Sequence, residues 1–212
     1  MRCVLMSELQ EEVLAEFLKN ISAHNIKKVF IVTYADDEKA IVEIYKKKYN
    51  KKKVDDFIKS TCQILRSIYG ENLEIEVSEA DESDRSKWMQ ADIIVILGGH
   101  AKSCMEKLTN LKISRETQKD DVIYIGVSAG AKVLCDYFLS KEKDDAIKLR
   151  RGMGVVNDLI LLVHYGKSNQ ESYMEYLKKY MKNGGAIYGI ANDGYICIDE
   201  IKKVMHNVVK IK

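Results

Sequence analysis

Residues 122–131 read V-I-Y-I-G-V-S-A-G-A, and no other stretch restricts the fold of this chain so sharply. The β-branched and aromatic run at its start favours a strand. It passes directly into Gly126-Val127-Ser128-Ala129-Gly130, and residues 131–139 have the composition of a helix. A buried strand that bends abruptly into a helix, with a serine at the bend, is a nucleophile elbow. Side chains two positions either side of that serine would collide with the strand–helix crossing, which explains glycine at 126 and 130. A helix starting just after Ser128 would turn free backbone N–H groups toward whatever the serine attacks. A serine that merely caps a helix can carry the same letters. The flanking strand and helix are the context that favours a reactive serine.

The rest of the chain alternates helical and extended patterns. Val13, Leu14, Phe17, Leu18 and Ile21 recur at helical spacing, and residues 29–34 form a short apolar run expected to be a buried strand. A long helical region is expected over 36–69, broken near Tyr49-Asn50, and an alternating strand over 73–77. Residues 91–97 are a continuous apolar run ending in Gly98-Gly99, with a helix expected over 101–111. Beyond the elbow, residues 140–152 read as a charged connector, and Val155-Val156 and 159–163 as strand material. A helix over 173–181, stopped by Gly184-Gly185, precedes terminal strands at 186–190, 195–198 and 204–211, the last two as a pair. Several strands are apolar on both faces. The pattern therefore predicts a doubly wound, mostly parallel α/β sheet with helices on both faces, in one domain spanning 1–212. In such sheets ligands bind at the carboxyl ends of the strands, where Gly98-Gly99 and Ser128 should lie on neighbouring strands.

Composition narrows the function classes. With 34 basic and 32 acidic residues the net charge is +2, which argues for neither a nucleic-acid nor a membrane partner. The densest basic run, Lys46-Lys47-Lys48-Tyr49-Asn50-Lys51-Lys52-Lys53, is flanked by Asp36, Asp37, Asp55 and Asp56 and reads as a solvated helix face. Five cysteines without a C-x-x-C pair fit reduced thiols and a cytoplasmic location. No metal-ligand cluster, cofactor motif, secretory leader or membrane span is expected.

A serine hydroxyl needs a base within hydrogen-bonding reach. Of four histidines, His24 falls at the presumed opposite edge of the sheet and His206 in the C-terminal strands. His100 follows Gly98-Gly99 on the oxyanion side. His164 ends the apolar run 159–163, at a strand's carboxyl end, and is the natural base. The oxyanion would take the Ala129 N–H from the elbow, and a second donor from Gly98 or Gly99.

With these residues in place a resemblance is plain. Ala91-Asp92-Ile93-Ile94-Val95-Ile96-Leu97-Gly98-Gly99, Tyr124-Ile125-Gly126-Val127-Ser128-Ala129-Gly130-Ala131 and His164, in that order, resemble the peptidase E and cyanophycinase family of serine peptidases. The likeness spans residues 29–200. It implies a fold similar to the class I glutamine amidotransferases, with serine at the elbow where those enzymes carry cysteine. It also implies Ser128 as nucleophile, His164 as general base, Gly99 and Ala129 as oxyanion donors, and aspartyl dipeptides or β-aspartyl bonds as substrates.

The chain departs from the family pattern where asparagine usually follows the glycines, since His100 stands there and is expected to touch substrate. Many members have an acidic residue in a turn after a Gly-Ile near the C-terminus. Gly189-Ile190-Ala191-Asn192-Asp193-Gly194 matches it, giving Asp193 as third triad member, Asn192 after a one-residue shift, or Asp158 as runner-up. Any acidic-substrate anchor falls to Arg150 and Arg151, with Lys102 and Lys132 as alternatives. The expectation is a serine hydrolase acting on a small peptide, with a homodimer left open. Two other readings use the same residues: a binding module with a relic elbow, and an esterase or amidase acting on a non-peptide acyl group.

Overall fold

The computed structural model describes residues 2–21, 25–45, 48–119, 121–144, 146–166, 173, 177, 186–199 and 203–211. It begins with a strand that the sequence pattern does not announce, β1 (Arg2–Met6), whose Cys3, Val4, Leu5 and Met6 are completely buried. Helix α1 (Glu11–Asn20) and strand β2 (Lys28–Val32) follow as expected. The helical region expected over 36–69 is two helices, α2 (Glu38–Glu43) and α3 (Lys51–Tyr69). The break falls at Asn50, whose side chain caps α3 by accepting the Lys53 N–H. Next come β3 (Glu74–Val77), α4 (Ser83–Gln90), β4 (Ile93–Ile96), α5 (Ala101–Asn110) and β5 (Ile123–Val127). Helix α4 has too few apolar residues to show a periodicity and is anchored instead by two fully buried side chains, Trp88 and Asp84.

The strands β1, β5, β4, β2 and β3 pair in that order, all parallel. Alternate residues of β4 enter two cores. Ile94 and Ile96 pack with Trp88 of α4 and Ala101, Cys104 and Leu108 of α5. Ile93 and Val95 pack on the other face with Leu14, Phe17 and Leu18 of α1 and Leu65 of α3. Burial on both faces is what makes these strands read as unbroken apolar runs.

Two expectations fail just past the elbow. The helix expected over 131–139 is the single turn α6 (Ala129–Val133), and the charged connector is a hairpin of β6 (Tyr137–Lys141) and β7 (Ile147–Arg151). The reason lies in residues 152–156. The N–H groups of Met153, Val156 and Gly154 take the carbonyls of Val133, Leu134 and Cys135, which a longer helix would have used internally. Freed from the helix, Tyr137, Phe138 and Leu139 adopt the extended form that aromatic side chains favour. Val156 makes only an isolated bridge, to Cys135.

Strands β8 (Leu159–Val163), β9 (Ala186–Ile198) and β10 (Lys203–Lys210) complete the fold. The two segments expected at 186–190 and 195–198 are one long strand, which pairs with β10 antiparallel as expected. The helix expected over 173–181 and its glycine stop lie outside the described residues, apart from Tyr173 and the buried Leu177. So does His24.

The length of β9 positions the site. Its first half pairs with β8 in parallel, Leu159–Val163 against residues 186–190. Its second half pairs with β1 antiparallel, Cys3 to Met6 against Ile198 to Tyr195. The carboxyl ends of β1 and β8 therefore point at each other across residues 191–194 of β9. No helix among the described residues is long and apolar enough to cross a membrane.

Candidate active site

Ser128 directly follows β5 with φ 51° and ψ −108°, a backbone conformation that residues other than glycine rarely adopt. The bend is held from below, where the Ser128 N–H donates to the Met6 carbonyl at 2.8 Å. It is also held by close approach. A Cβ on Gly130 would lie 1.9 Å from the Ile96 carbonyl oxygen, and one on Gly126 would lie 2.7 Å from Ala131 Cα. The two glycines flanking the serine thus let α6 settle against β4 and β5.

The adjacent strand β4 delivers Gly98 and Gly99 beside the serine. A Cβ on Gly98 would stand 3.1 Å from Ser128 Cβ and 3.7 Å from its Oγ. Gly99 has φ 138°, and a Cβ there would fall 2.0 Å from the Ala35 carbonyl oxygen, which accepts the His100 N–H at 2.7 Å. Among the described residues, neither the Gly99 nor the Ala129 N–H donates to a main-chain carbonyl.

His164 follows β8 in a left-handed conformation, φ 58°. Its Nε2 lies 3.0 Å from Ser128 Oγ. Completely buried Ser7, just past β1, accepts the His164 backbone N–H on its Oγ at 2.8 Å and holds this turn in place. Ser7 Oγ also stands 3.4 Å from Nδ1. The principal partner of Nδ1 is Asn192 Oδ1, at 3.0 Å. An amide oxygen can only accept, so Nδ1 carries the hydrogen and Nε2 is left with a lone pair facing the serine hydroxyl. On the far side Asn192 Nδ2 donates to Glu8 Oε1 at 2.6 Å, and the same oxygen is 3.8 Å from His164 Nδ1.

The structure brings together Ser128, His164, Gly99 and Ala129 of the residues singled out in the sequence. It does not bring Asp193 or Asp158 to the imidazole. Asp193 Oδ2 accepts from Asn207 Nδ2 of β10 at 2.7 Å, and Asp158 sits at the start of β8, the end opposite His164. The one-residue shift to Asn192 is the arrangement seen. Ser7 and Glu8 have no mark in the sequence, because their part depends on where β1 ends relative to β9.

The expected substrate contacts are rearranged. His100 is only 2% exposed, and its Nδ1 donates to Ser103 Oγ (2.8 Å), which in turn donates to Asp37 Oδ2 at 2.6 Å. Burial lowers its pKa, against the opposing pull of the Lys141 carbonyl and Asp37. Through Ser103 this side chain ties the start of α5 to Asp37, and it lines a groove with Asp37 and Lys102. Arg150 is committed to Glu142 through two bonds, at 2.6 and 3.1 Å, and Lys102 holds the other carboxylate oxygen at 2.8 Å. Burial alone would raise the Glu142 pKa, but the two cations bring it down to about 2. Arg151 is exposed beside them, lining with Arg150 and Lys102 a groove of about 350 Å³ between α5 and the β6–β7 hairpin.

Lys132 differs from these cations. Its Nζ donates to the Leu139 carbonyl at 3.2 Å, and among the described residues no carboxylate lies within ion-pair range. Loss of hydration lowers its pKa to about 8.

Comparison with known proteins agrees with this architecture. Two solved structures superpose over nearly the whole chain. One is a provisionally assigned peptidase E protein from Listeria monocytogenes EGD-e, with TM-score 0.64, 16% identity and 98% of each chain covered. The other is a peptidase from an acI-B1 Actinobacterium, with TM-score 0.62, 16% identity, and 99% of this chain and 87% of that chain covered. At such identity the likeness establishes the fold. No curated protein matches the sequence. The sequence model of peptidase family S51 matches residues 4–205, a span that runs from β1 through the elbow and His164 into β10, and the chain therefore belongs to this family of serine peptidases.

Proposed function

We propose that this peptidase hydrolyses small peptides through an acyl-enzyme formed on Ser128. The observation that carries the reading is the 3.0 Å approach of His164 Nε2 to a serine hydroxyl raised on a strained elbow. In the reaction Ser128 Oγ attacks the scissile carbonyl carbon while its proton passes to Nε2. The Gly99 and Ala129 N–H groups hold the resulting oxyanion. The imidazolium then gives its proton to the leaving amine, and the C–N bond breaks. A water molecule repeats the sequence on the ester, giving the acid and restoring Ser128.

An acidic residue in the substrate, as in an aspartyl dipeptide or a β-aspartyl bond, suits Lys132 better than the arginine pair. Arg150 is neutralised by Glu142, whereas Lys132, on the helix that starts just after Ser128, meets among the described residues only the neutral Leu139 carbonyl of β6. A cytoplasmic setting fits five cysteines that are all unpaired.

Labelling with a fluorophosphonate probe tests the central claim. The wild type is expected to label, and Ser128→Ala and His164→Ala are not. A wild type that stays unlabelled from neutral to alkaline pH would remove the acyl-enzyme reading.

A further inference from the structure

The partner of His164 is an amide, and an amide can be turned either way. With Oδ1 toward the imidazole, Asn192 keeps the hydrogen on Nδ1 and leaves Nε2 able to accept from Ser128. Turned about, its NH₂ would face Nδ1, which would then have to be the acceptor, and the hydrogen would move to Nε2. That tautomer cannot take the serine proton. The orientation therefore has to be imposed from outside the amide.

We infer that Glu8 is a positioning residue: its carboxylate fixes the Asn192 amide and, through it, the reactive tautomer of His164. A carboxylate is acceptor-only, so it can face Nδ2 but not Oδ1. The 2.6 Å contact from Asn192 Nδ2 to Glu8 Oε1 therefore admits one orientation of the amide. The same oxygen is 3.8 Å from His164 Nδ1, so a carboxylate charge faces the ring that receives the serine proton. Charge and direction thus come from two residues, one just past β1 and one on β9, where one carboxylate would supply both. Glu8 is held in register by its neighbour, since the Ser7 N–H donates to the Gly194 carbonyl at 3.3 Å and Ser7 Oγ receives the His164 N–H.

The inference rests on the proposed Ser–His reading for its catalytic meaning, and its test separates the two. Glu8 is about half exposed, so changing it should leave the fold intact. Three variants rank the effect. Glu8→Gln keeps an acceptor and loses the charge; Glu8→Ala hands the amide to water; Glu8→Lys presents donors, which call for the opposite orientation. Fluorophosphonate labelling should slow by about 3-fold, about 10-fold and about 100-fold respectively, within the roughly 10⁴-fold that a wrong tautomer can cost. Asn192→Asp removes the amide that can turn, so in that background Glu8→Lys should recover at least about 10-fold of its loss. A purely structural role for Glu8 would give no such rescue.

The second readout needs no reaction. In protein with ¹⁵N-labelled histidine, the His164 signals, assigned with His164→Ala, should show the hydrogen on Nδ1 in the wild type. They should show it moving to Nε2 in Glu8→Lys. If that shift appears while the wild type fails to label, the Ser–His reading falls and the orienting role stands. If Glu8→Lys leaves both tautomer and labelling unchanged, or Asn192→Asp gives no rescue, the inference is wrong.

Discussion

The two halves of this site are built in opposite ways. The serine half is local: β5, the bend and α6 are continuous, and a run of ten residues contains the strand, the serine and both glycines. The histidine half is assembled from afar. Ser7 and Glu8 follow β1, His164 follows β8, and Asn192 sits in β9, 184 positions on from Glu8. The first half is fixed by steric exclusion, the second by polar pairing where two strands end against a third. Steric exclusion tolerates almost no change. Polar pairing can exchange one donor or acceptor for another and still close.

That contrast sets the sizes of the expected effects. The largest belongs to Gly130→Ala. The added methyl would meet the Ile96 carbonyl oxygen at 1.9 Å, and both groups belong to the backbone of packed elements. A loss of about 3 kcal/mol or more is expected, read as a drop in urea midpoint without a change in slope. A stable, fully labelled Gly130→Ala protein would mean that the elbow is not set by close approach.

On the histidine side, Ser7→Ala removes the acceptor of the His164 N–H and leaves a part-buried donor unpaired. A cost of about 1–3 kcal/mol is expected. Labelling should slow about tenfold, because the left-handed turn that aims the imidazole loses its tie. Stability lost with labelling retained would break the link between that tie and the aim of the ring.

The elbow half also carries the isolated cation. Lys132 has a pKa lowered to about 8 by loss of hydration, so it is charged below that pH and neutral above it. If it anchors an acidic substrate, KM for an aspartyl peptide should be flat below pH 8. Above pH 8 it should rise about tenfold per unit, as the cation is lost. Lys132→Met should raise KM at pH 7 and remove this alkaline rise, with KM for a neutral peptide unchanged. An alkaline rise that persists in Lys132→Met would assign the titration to another group.

These differences also account for what could be read from the sequence. The strands buried on both faces, the elbow and the glycine pair were legible because each leaves a contiguous signature of apolar runs and small residues. The single-turn α6 was not. Its end is fixed by N–H groups from residues 152–156, which no local propensity reveals. Strand β1 was too short to show a period, although Val4 and Leu5 lie at the centre of the sheet. The inward turn of His100 depends on Ser103 and Asp37. The pairing of Arg150 depends on Glu142, which lies between the two strands of a hairpin that the sequence presented as a connector.

The smallest effect is the sharpest test of the assembled half. Asn192 and Asp193 are neighbours on β9, and successive side chains of a strand point to opposite sides. A one-residue difference in register therefore decides which of them meets the imidazole, and no sequence pattern distinguishes the two. With Asn192 at His164 and Asp193 bonded to Asn207, Asp193→Asn should change labelling by less than about twofold. It should also cost under about 1 kcal/mol, since an amide oxygen can still accept from Asn207. Asn192→Ala, by contrast, strips Nδ1 of its acceptor and should slow labelling by about 30-fold or more, within the range that loss of the correct tautomer allows. The reverse ranking, with Asp193→Asn the slower protein, would move the register by one residue. It would make the carboxylate the direct partner of His164 and leave Glu8 without a function in the site.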